Sequence, residues 1–195
     1  LIKSLHHSTI VIEEIQKCIE VLKAGGVILY PTDTVWGLGC DATNNEAVKK
    51  IFEIKQRNDA KSLITLVCND GMLQKYVTEV PELAWDIIDL ATKPTTIIYP
   101  KGKNLAKNTL AEDGSIGIRL IKNDFCNKLI YKLNKPIIST SANISGDSTP
   151  SHFQEISDTI KSNVDYIVNS QFDNGNQLPS SVLKLALNGE IQVLR

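Results

Sequence analysis

Two clusters of hydroxyl side chains, each following a short apolar run, are the residues of this chain best suited to bind a polar ligand. Residues 32–34 (Thr-Asp-Thr) follow the run 27–30, and residues 139–143 (Ser-Thr-Ser-Ala-Asn) follow Ile137-Ile138. Pro31 cannot donate to a strand ladder, so strand pairing is expected to fail there and to leave the first cluster at a strand end. Strand ends of α/β sheets commonly bind ligands. A plain turn after each strand explains both clusters equally well.

Cationic side chains are the second group that could do chemistry. Lys55 and Arg57, with Lys61 beyond them, lie at the end of a predicted helix, and Arg119 follows Ser115 on a predicted strand. A guanidinium binds a carboxylate through two parallel hydrogen bonds, and fixed cations stabilise charge that develops on phosphate. The helix-end group also fits simple complementarity with the negative helix terminus. Hydroxyls and cations together could hold a carboxylate, an amine and a polyphosphate.

The elements that must position these residues are predicted helices and strands that alternate along the chain. The periodicity predicts helices over 12–24, from an Asn44 or Asn45 cap to about residue 55, over 81–91, from an Asp124 cap to 133, and over 153–161. It predicts strands over 27–30, 63–68, 95–99, 115–120, 137–138 and 166–168, and a final hairpin of 181–185 and 190–194 around Asn188-Gly189. We therefore expect one domain over residues 1–195, an α/β fold with an open twisted sheet of parallel and antiparallel strands and flanking helices.

Composition narrows the class of protein. A net charge of -1 disfavours non-specific nucleic-acid binding as the main activity, and 42% hydrophobic residues over 195 positions suit a globular chain. The four cysteines lie far apart without a Cys-x-x-Cys pair, which favours reduced buried thiols and a cytoplasmic location. We expect no signal peptide, no membrane span and, since His6-His7 is best explained as a solvated terminal pair, no protein-bound metal.

Five motifs, taken in order, resemble those of the YrdC-like family. They are YPTDTVWGLG, the Lys-x-Arg with its following Lys, IGIRL, STSAN and PSSVLKL, and they extend from residue 30 nearly to the end of the chain. Small members of this family are threonylcarbamoyl-AMP synthases, which join L-threonine, bicarbonate and ATP into threonylcarbamoyl-adenylate and pyrophosphate for the modification of an adenosine beside the anticodon of certain tRNAs. The resemblance implies the short bacterial form and a concave cationic cavity on the sheet.

The chain departs from the family pattern at three places, of which the first two are loop positions. Asn58 stands where the family usually has proline, Thr92-Lys93-Pro94 stands in place of Pro-Gly-Pro, and Ser181 stands in place of threonine in Pro-Ser-Thr. The first two put local backbone shape in doubt and leave the charged groups in place. The third keeps a hydroxyl.

The resemblance implies two groups of ligand-binding residues. Those implied for L-threonine are Thr32, Arg119, Ser139 and Ser181. Those implied for ATP are Lys55, Arg57, Ser115, Ser141, Asn143 and Arg195, with Lys55 and Arg57 also catalytic. Because the chain has no P-loop motif, Mg²⁺ is expected to arrive on the triphosphate without a dedicated protein site. The sequence leaves Asp33 either as a general base or as a residue that ties down the turn.

The resemblance further implies tRNA and the tRNA threonylcarbamoyl-transfer complex as partners, and three other functions stay open. A carbamoyl-transfer domain of the same fold would call for attached cysteine pairs, which this chain lacks. A double-stranded RNA- or tRNA-binding module would need a basic face and would lose affinity steeply with salt. A scaffold subunit would not bind ATP.

Overall fold

One mixed sheet with helices packed against it forms the framework of the protein, in a computed structural model that describes residues 2–57, 63–173 and 178–195, with side chains from Thr9 onward. The helices of these residues are α1 (Ile2–Lys23), α2 (Asn45–Lys55), α3 (Asp70–Tyr76), α4 (Glu82–Leu90), α5 (Asp124–Leu133) and α6 (Asp158–Ser162). The strands are β1 (Ile28–Tyr30), β2 (Gly37–Asp41), β3 (Ile64–Val67), β4 (Thr95–Tyr99), β5 (Ile116–Leu120), β6 (Ile137–Ser141), β7 (Tyr166–Ile167), β8 (Ser181–Leu185) and β9 (Ile191–Val193).

The strands follow the order β7-β1-β2-β6-β3-β5-β4-β8-β9 across the sheet. Neighbours pair in parallel at β1–β7, β3–β5 and β4–β8 and antiparallel elsewhere. The prediction of an α/β fold with a mixed sheet is therefore confirmed. Two predicted local signals are confirmed as well: Asn44 caps α2 by accepting from the amides of Glu46 and Ala47, and Gly189, with φ of 84°, lies in the turn between β8 and β9.

Two elements were absent from the prediction. Strand β2 contains two glycines and no β-branched residue, and its burial between β1 and β6 stabilises it in spite of that composition. A side chain at position 39 would come within 2.5 Å of the Tyr30 ring, so glycine lets that ring cross the strand. Helix α3 is capped by Asn69, whose side chain accepts from the Met72 amide.

Several predicted boundaries were wrong. Strand β6 continues through Ser141 because β2 pairs with it along its whole length, so the first three residues of the second hydroxyl cluster lie within a strand instead of after one. The cap of α5 is Asn123 in place of Asp124. The helix predicted over 153–161 is a 3₁₀ turn followed by α6, which Ser157 caps. Helix α1 starts ten residues before the predicted boundary.

Buried apolar side chains fill both faces of the sheet. One cluster joins α1 and α5 to the sheet through Leu22 and Leu129, and the other packs α2 on β2 through Ile51 and Leu38. All four cysteines are buried and free, and burial raises their pKa values, so the thiols stay protonated and inert. Over the described residues, no helix combines the length and apolarity required to cross a membrane.

Candidate active site

A cavity of about 440 Å³ lies on one face of the sheet over β6, β3, β5, β4 and β8. The strand register explains which side chains reach it, since directly paired residues point to the same face. Ile64 pairs with Ser139, Ile98 with Gly117 and Thr96 with Val182, and all six line the cavity. Its volume is in the range of small-molecule sites.

Half of the sequence-predicted ligand residues line this cavity. They are Ser115, Arg119, Ser139, Ser141 and Arg195. These residues come from separate stretches of the chain, yet the sheet brings three hydroxyls and two guanidinium groups to one concavity. Hydroxyls and planar cations are suited to a ligand that carries a carboxylate or phosphates.

Arg119 is the most constrained charged group of the cavity. Only 2% of its side chain is exposed, and its Nη2 lies 2.9 Å from Asp33 Oδ1 and 3.5 Å from Thr34 Oγ1. Burial raises the pKa of Asp33, while Arg119 and nearby backbone amides oppose that rise. The Nε of Arg119 is buried without a partner among the described residues, so the guanidinium still has a donor to offer a ligand.

Thr32 does not line the cavity, although the resemblance implies a threonine-binding role for it. Its Oγ1 donates to the Val35 carbonyl at 2.8 Å and accepts from the Thr34 amide at 3.1 Å. These bonds tie down the turn after β1, and Thr34 and Val35 reach the cavity in its place. The prediction that the turn presents hydroxyls at a strand end is met by Thr34, two positions further along.

Ser181 also lies outside the cavity lining. It pairs with Thr95 at the start of β8, which turns its side chain to the opposite face from Thr96 and Val182. Ser180 lines the cavity instead, with its hydroxyl 2.9 Å from that of Thr96, and its carbonyl accepts from Arg195 Nε at 3.0 Å. Both serines were visible in the Pro-Ser-Ser motif, but strand register decides which of them faces the ligand.

Lys55 lies outside the cavity and bonds to the backbone of residues at the edge of the cavity. It is buried, and its Nζ donates to the Ser141 and Asn143 carbonyls at 2.6 and 2.7 Å, while its own carbonyl accepts from the Ser145 amide. Lys55, Arg57 and Asn143 are not among the cavity-lining residues. Lys61, the third predicted cation, lies outside the described residues.

The charge on Lys55 lowers the stability of the fold at neutral pH. Burial, and secondarily the positive charge of Arg57, lower its pKa from 10.5 to about 8. The unfolded chain therefore binds the proton more tightly, and the free energy of unfolding rises as pH increases from about 8 to 10.5. At pH 7 the penalty is at most about 3 kcal/mol.

Trp36 is a cavity residue that the sequence interpretation did not single out. Its ring packs on Phe153 with centroids 4.9 Å apart, and Lys161 Nζ lies 4.9 Å from the Phe153 ring. The indole N–H is buried with no partner in the described part of the chain. In the sequence, the feature that could have identified Trp36 was its position between the first hydroxyl cluster and Gly37.

The cavity offers little to a metal ion. Across residues 9–57, 63–173 and 178–195, no group of three or more His, Cys, Asp or Glu side chains could hold one. The cavity lining in the described chain also lacks any carboxylate or imidazole. The predicted pair His6-His7 falls outside the residues whose side chains are described.

Comparison with known proteins assigns the fold and site to a family. Residues 20–195 match the model of the Sua5, YciO and YrdC family, described as "Telomere recombination", so this chain belongs to that family. It is 36% identical to a threonylcarbamoyl-AMP synthase of Pseudoalteromonas translucida (strain TAC 125), over 91% of this chain and 95% of the relative.

Solved structures give the same assignment. P. abyssi Sua5, crystallised with L-threonine, superposes with a TM-score of 0.83 at 27% identity over 93% of this chain. The match covers 53% of that protein, so this chain spans about half its length. E. coli YciO superposes with a TM-score of 0.80 at 29% identity, over 93% of this chain and 87% of YciO.

Proposed function

We propose that this protein is a threonylcarbamoyl-AMP synthase that condenses L-threonine, bicarbonate and ATP into threonylcarbamoyl-adenylate and pyrophosphate. The observation that carries the proposal is the buried Arg119 on a hydroxyl-lined cavity, in a chain 36% identical to a relative of that name. The complex of P. abyssi Sua5 with L-threonine supports the amino acid as one substrate.

The proposed partition follows side-chain chemistry. Arg119, with Thr34 and Ser139 of the same cavity, would bind the threonine carboxylate and amine, while Arg195, Ser115 and Ser141 would bind ATP. Lys55 and Arg57 would act on the phosphates or hold the loop that does, and Asn143 would join them when ATP binds. Thr32 would act through the turn that presents Thr34.

The proposed mechanism uses positioning and charge stabilisation without a covalent enzyme intermediate. The unprotonated threonine amine forms a C–N bond to carbon dioxide and loses a proton, or condenses with bicarbonate and releases water, and either route gives a carbamate. A carbamate oxygen then forms a bond to the α-phosphorus, and the bond to the bridging oxygen breaks as pyrophosphate leaves. Preorganised cations would stabilise the charge on the phosphates, with Mg²⁺ carried by ATP because no carboxylate lines the described cavity.

The proposal places the reaction in the cytoplasm and the adenylate upstream of a tRNA-modifying step. Four buried reduced thiols fit a reducing compartment. The product is a reactive mixed anhydride, so a tRNA threonylcarbamoyl-transfer complex would be its consumer. The double-stranded RNA-binding module and the scaffold gain no specific support from the cavity.

The product tests this assignment directly. We expect purified protein with ATP, Mg²⁺, threonine and ¹³C-bicarbonate to yield a threonylcarbamoyl-adenylate that carries one ¹³C atom, detected by mass spectrometry of rapidly quenched samples. Serine in place of threonine should give far less product. Formation of plain AMP without a carbamoylated adduct would argue for an ATPase instead.

A further inference from the structure

Asp33 contributes a buried carboxylate that the proposed reaction does not use. Its side chain is 13% exposed, and its Oδ1 lies 2.9 Å from Arg119 Nη2. It is absent from the lining of the ligand cavity and instead lines a second cavity of about 300 Å³ with Thr95 and Ile97. Those two residues point to the face of β4 opposite Thr96. The carboxylate therefore contacts Arg119 on the side that faces away from the ligand cavity.

This placement excludes a role for Asp33 as general base in the described conformation. A base must come within hydrogen-bond reach of the proton it removes, directly or through one water. Arg119 lines the ligand cavity and Asp33 does not, so the guanidinium stands between the carboxylate and any proton of a ligand bound there.

The Thr32 hydroxyl ties down the turn by donating to the Val35 carbonyl and accepting from the Thr34 amide. The Asp33 carboxylate also interacts with its own backbone in this turn. The Asp33 carboxylate interacts with the backbone of Lys122, three residues after Arg119 and just past the end of β5. It is thus fixed to the strand that carries the guanidinium.

We propose that Asp33 is the positioning residue for Arg119, holding the guanidinium at the angle at which it meets the substrate carboxylate. An unrestrained arginine has several rotatable bonds, and ordering them on binding would weaken the affinity for the amino acid. The ion pair with Asp33 orders the arginine before the ligand arrives and so avoids that loss of affinity. Thr34 Oγ1, 3.5 Å from Arg119 Nη2, lies on the side of Arg119 that faces the cavity. This inference rests on the proposed function.

The test is a steady-state comparison of Asp33→Asn, Asp33→Glu and Asp41→Asn. Asp33→Asn keeps the shape and removes the charge, and it is expected to raise the threonine KM about tenfold or more while the ATP KM stays within about twofold. Asp33→Glu keeps the charge but displaces it by one methylene, and should raise the threonine KM about threefold. Asp41→Asn breaks the ion pair of a buried aspartate with the half-exposed Lys135, at 2.6 Å and outside the cavity, and should lower the melting temperature with both KM values unchanged.

A double-mutant cycle supplies the readout that a merely structural role would not affect. In an Arg119→Lys background, Asp33→Asn is expected to add little to the threonine KM, because the group it positions has already been changed. An unchanged threonine KM in a folded Asp33 variant, or equal rises in both KM values, would overturn this role while an active wild type leaves the synthase assignment standing. A wild type without threonine-dependent pyrophosphate release would overturn both.

Discussion

Arg119→Lys is expected to lower kcat/KM for threonine about a hundredfold, a loss of roughly 3 kcal/mol, because an ammonium cannot form two parallel hydrogen bonds with a carboxylate. Lysine keeps a positive charge beside Asp33, so the fold should survive, whereas alanine would remove the cation that compensates that largely buried carboxylate. Steady-state kinetics with threonine varied at saturating ATP measure the effect.

Arg195→Lys is the matched control for that substitution. It makes the same chemical change on the same cavity, at a residue assigned to ATP, and should therefore raise the ATP KM more than the threonine KM.

Substrate analogues test the proposed contact between Arg119 and the substrate carboxylate. Serine, which lacks one methyl, should lose only about 1 to 3 kcal/mol, and threoninol, which lacks the carboxylate, should be a far worse substrate. If threoninol outperformed serine, Arg119 would not bind the carboxylate.

Lys55→Ala and Arg57→Ala are each expected to lower turnover by about a hundredfold or more, the usual loss on removing one preorganised charge, roughly 3 to 4 kcal/mol. For Lys55 the structure adds a reason. Alanine would remove the ammonium donor that joins the Ser141 and Asn143 carbonyls and would loosen the segment that carries two ATP-assigned residues. Single-turnover pyrophosphate release measures this loss apart from substrate binding.

Lys50→Ala is the control for Lys55. Lys50 lies on the same helix and donates to the Gly25 carbonyl at 2.8 Å, at a distance from the cavity, so its removal should leave turnover near that of wild type. Near-normal turnover in both Lys55→Ala and Arg57→Ala would mean that these cations only compensate the negative charge of the helix terminus.

Local patterns were sufficient to predict most of the sheet. Apolar runs bounded by turn residues predicted β4 with its observed ends, and the Asn-Gly pair predicted the β8–β9 hairpin. Strand β2 was missed because its glycines carry no strand propensity, and only neighbours on both sides make it a strand. The length of β6 was missed for the same reason, since its hydroxyl end is held by pairing with β2.

The sequence predicted which types of side chain form the site, but not which individual residues face the cavity. The order of the family motifs identified the hydroxyl clusters and both arginines of the cavity. Which hydroxyl faces the cavity depends on register and turn geometry, so Thr34 and Ser180 replace Thr32 and Ser181 on its wall. The Asp33–Arg119 pair joins residues 86 positions apart and carries no local signal.

Pyrophosphate release from purified protein in buffer depleted of carbon dioxide, before and after bicarbonate is restored, tests the central claim most directly. With ATP and Mg²⁺ present, the only nucleophile for the α-phosphorus without the carbamate is water, and the proposed carbamate site should leave that hydrolysis slow. We predict that release requires threonine and bicarbonate together and that neither suffices alone. Equal rates before and after bicarbonate is restored would show that no carbamate lies on the reaction path and would contradict the synthase assignment.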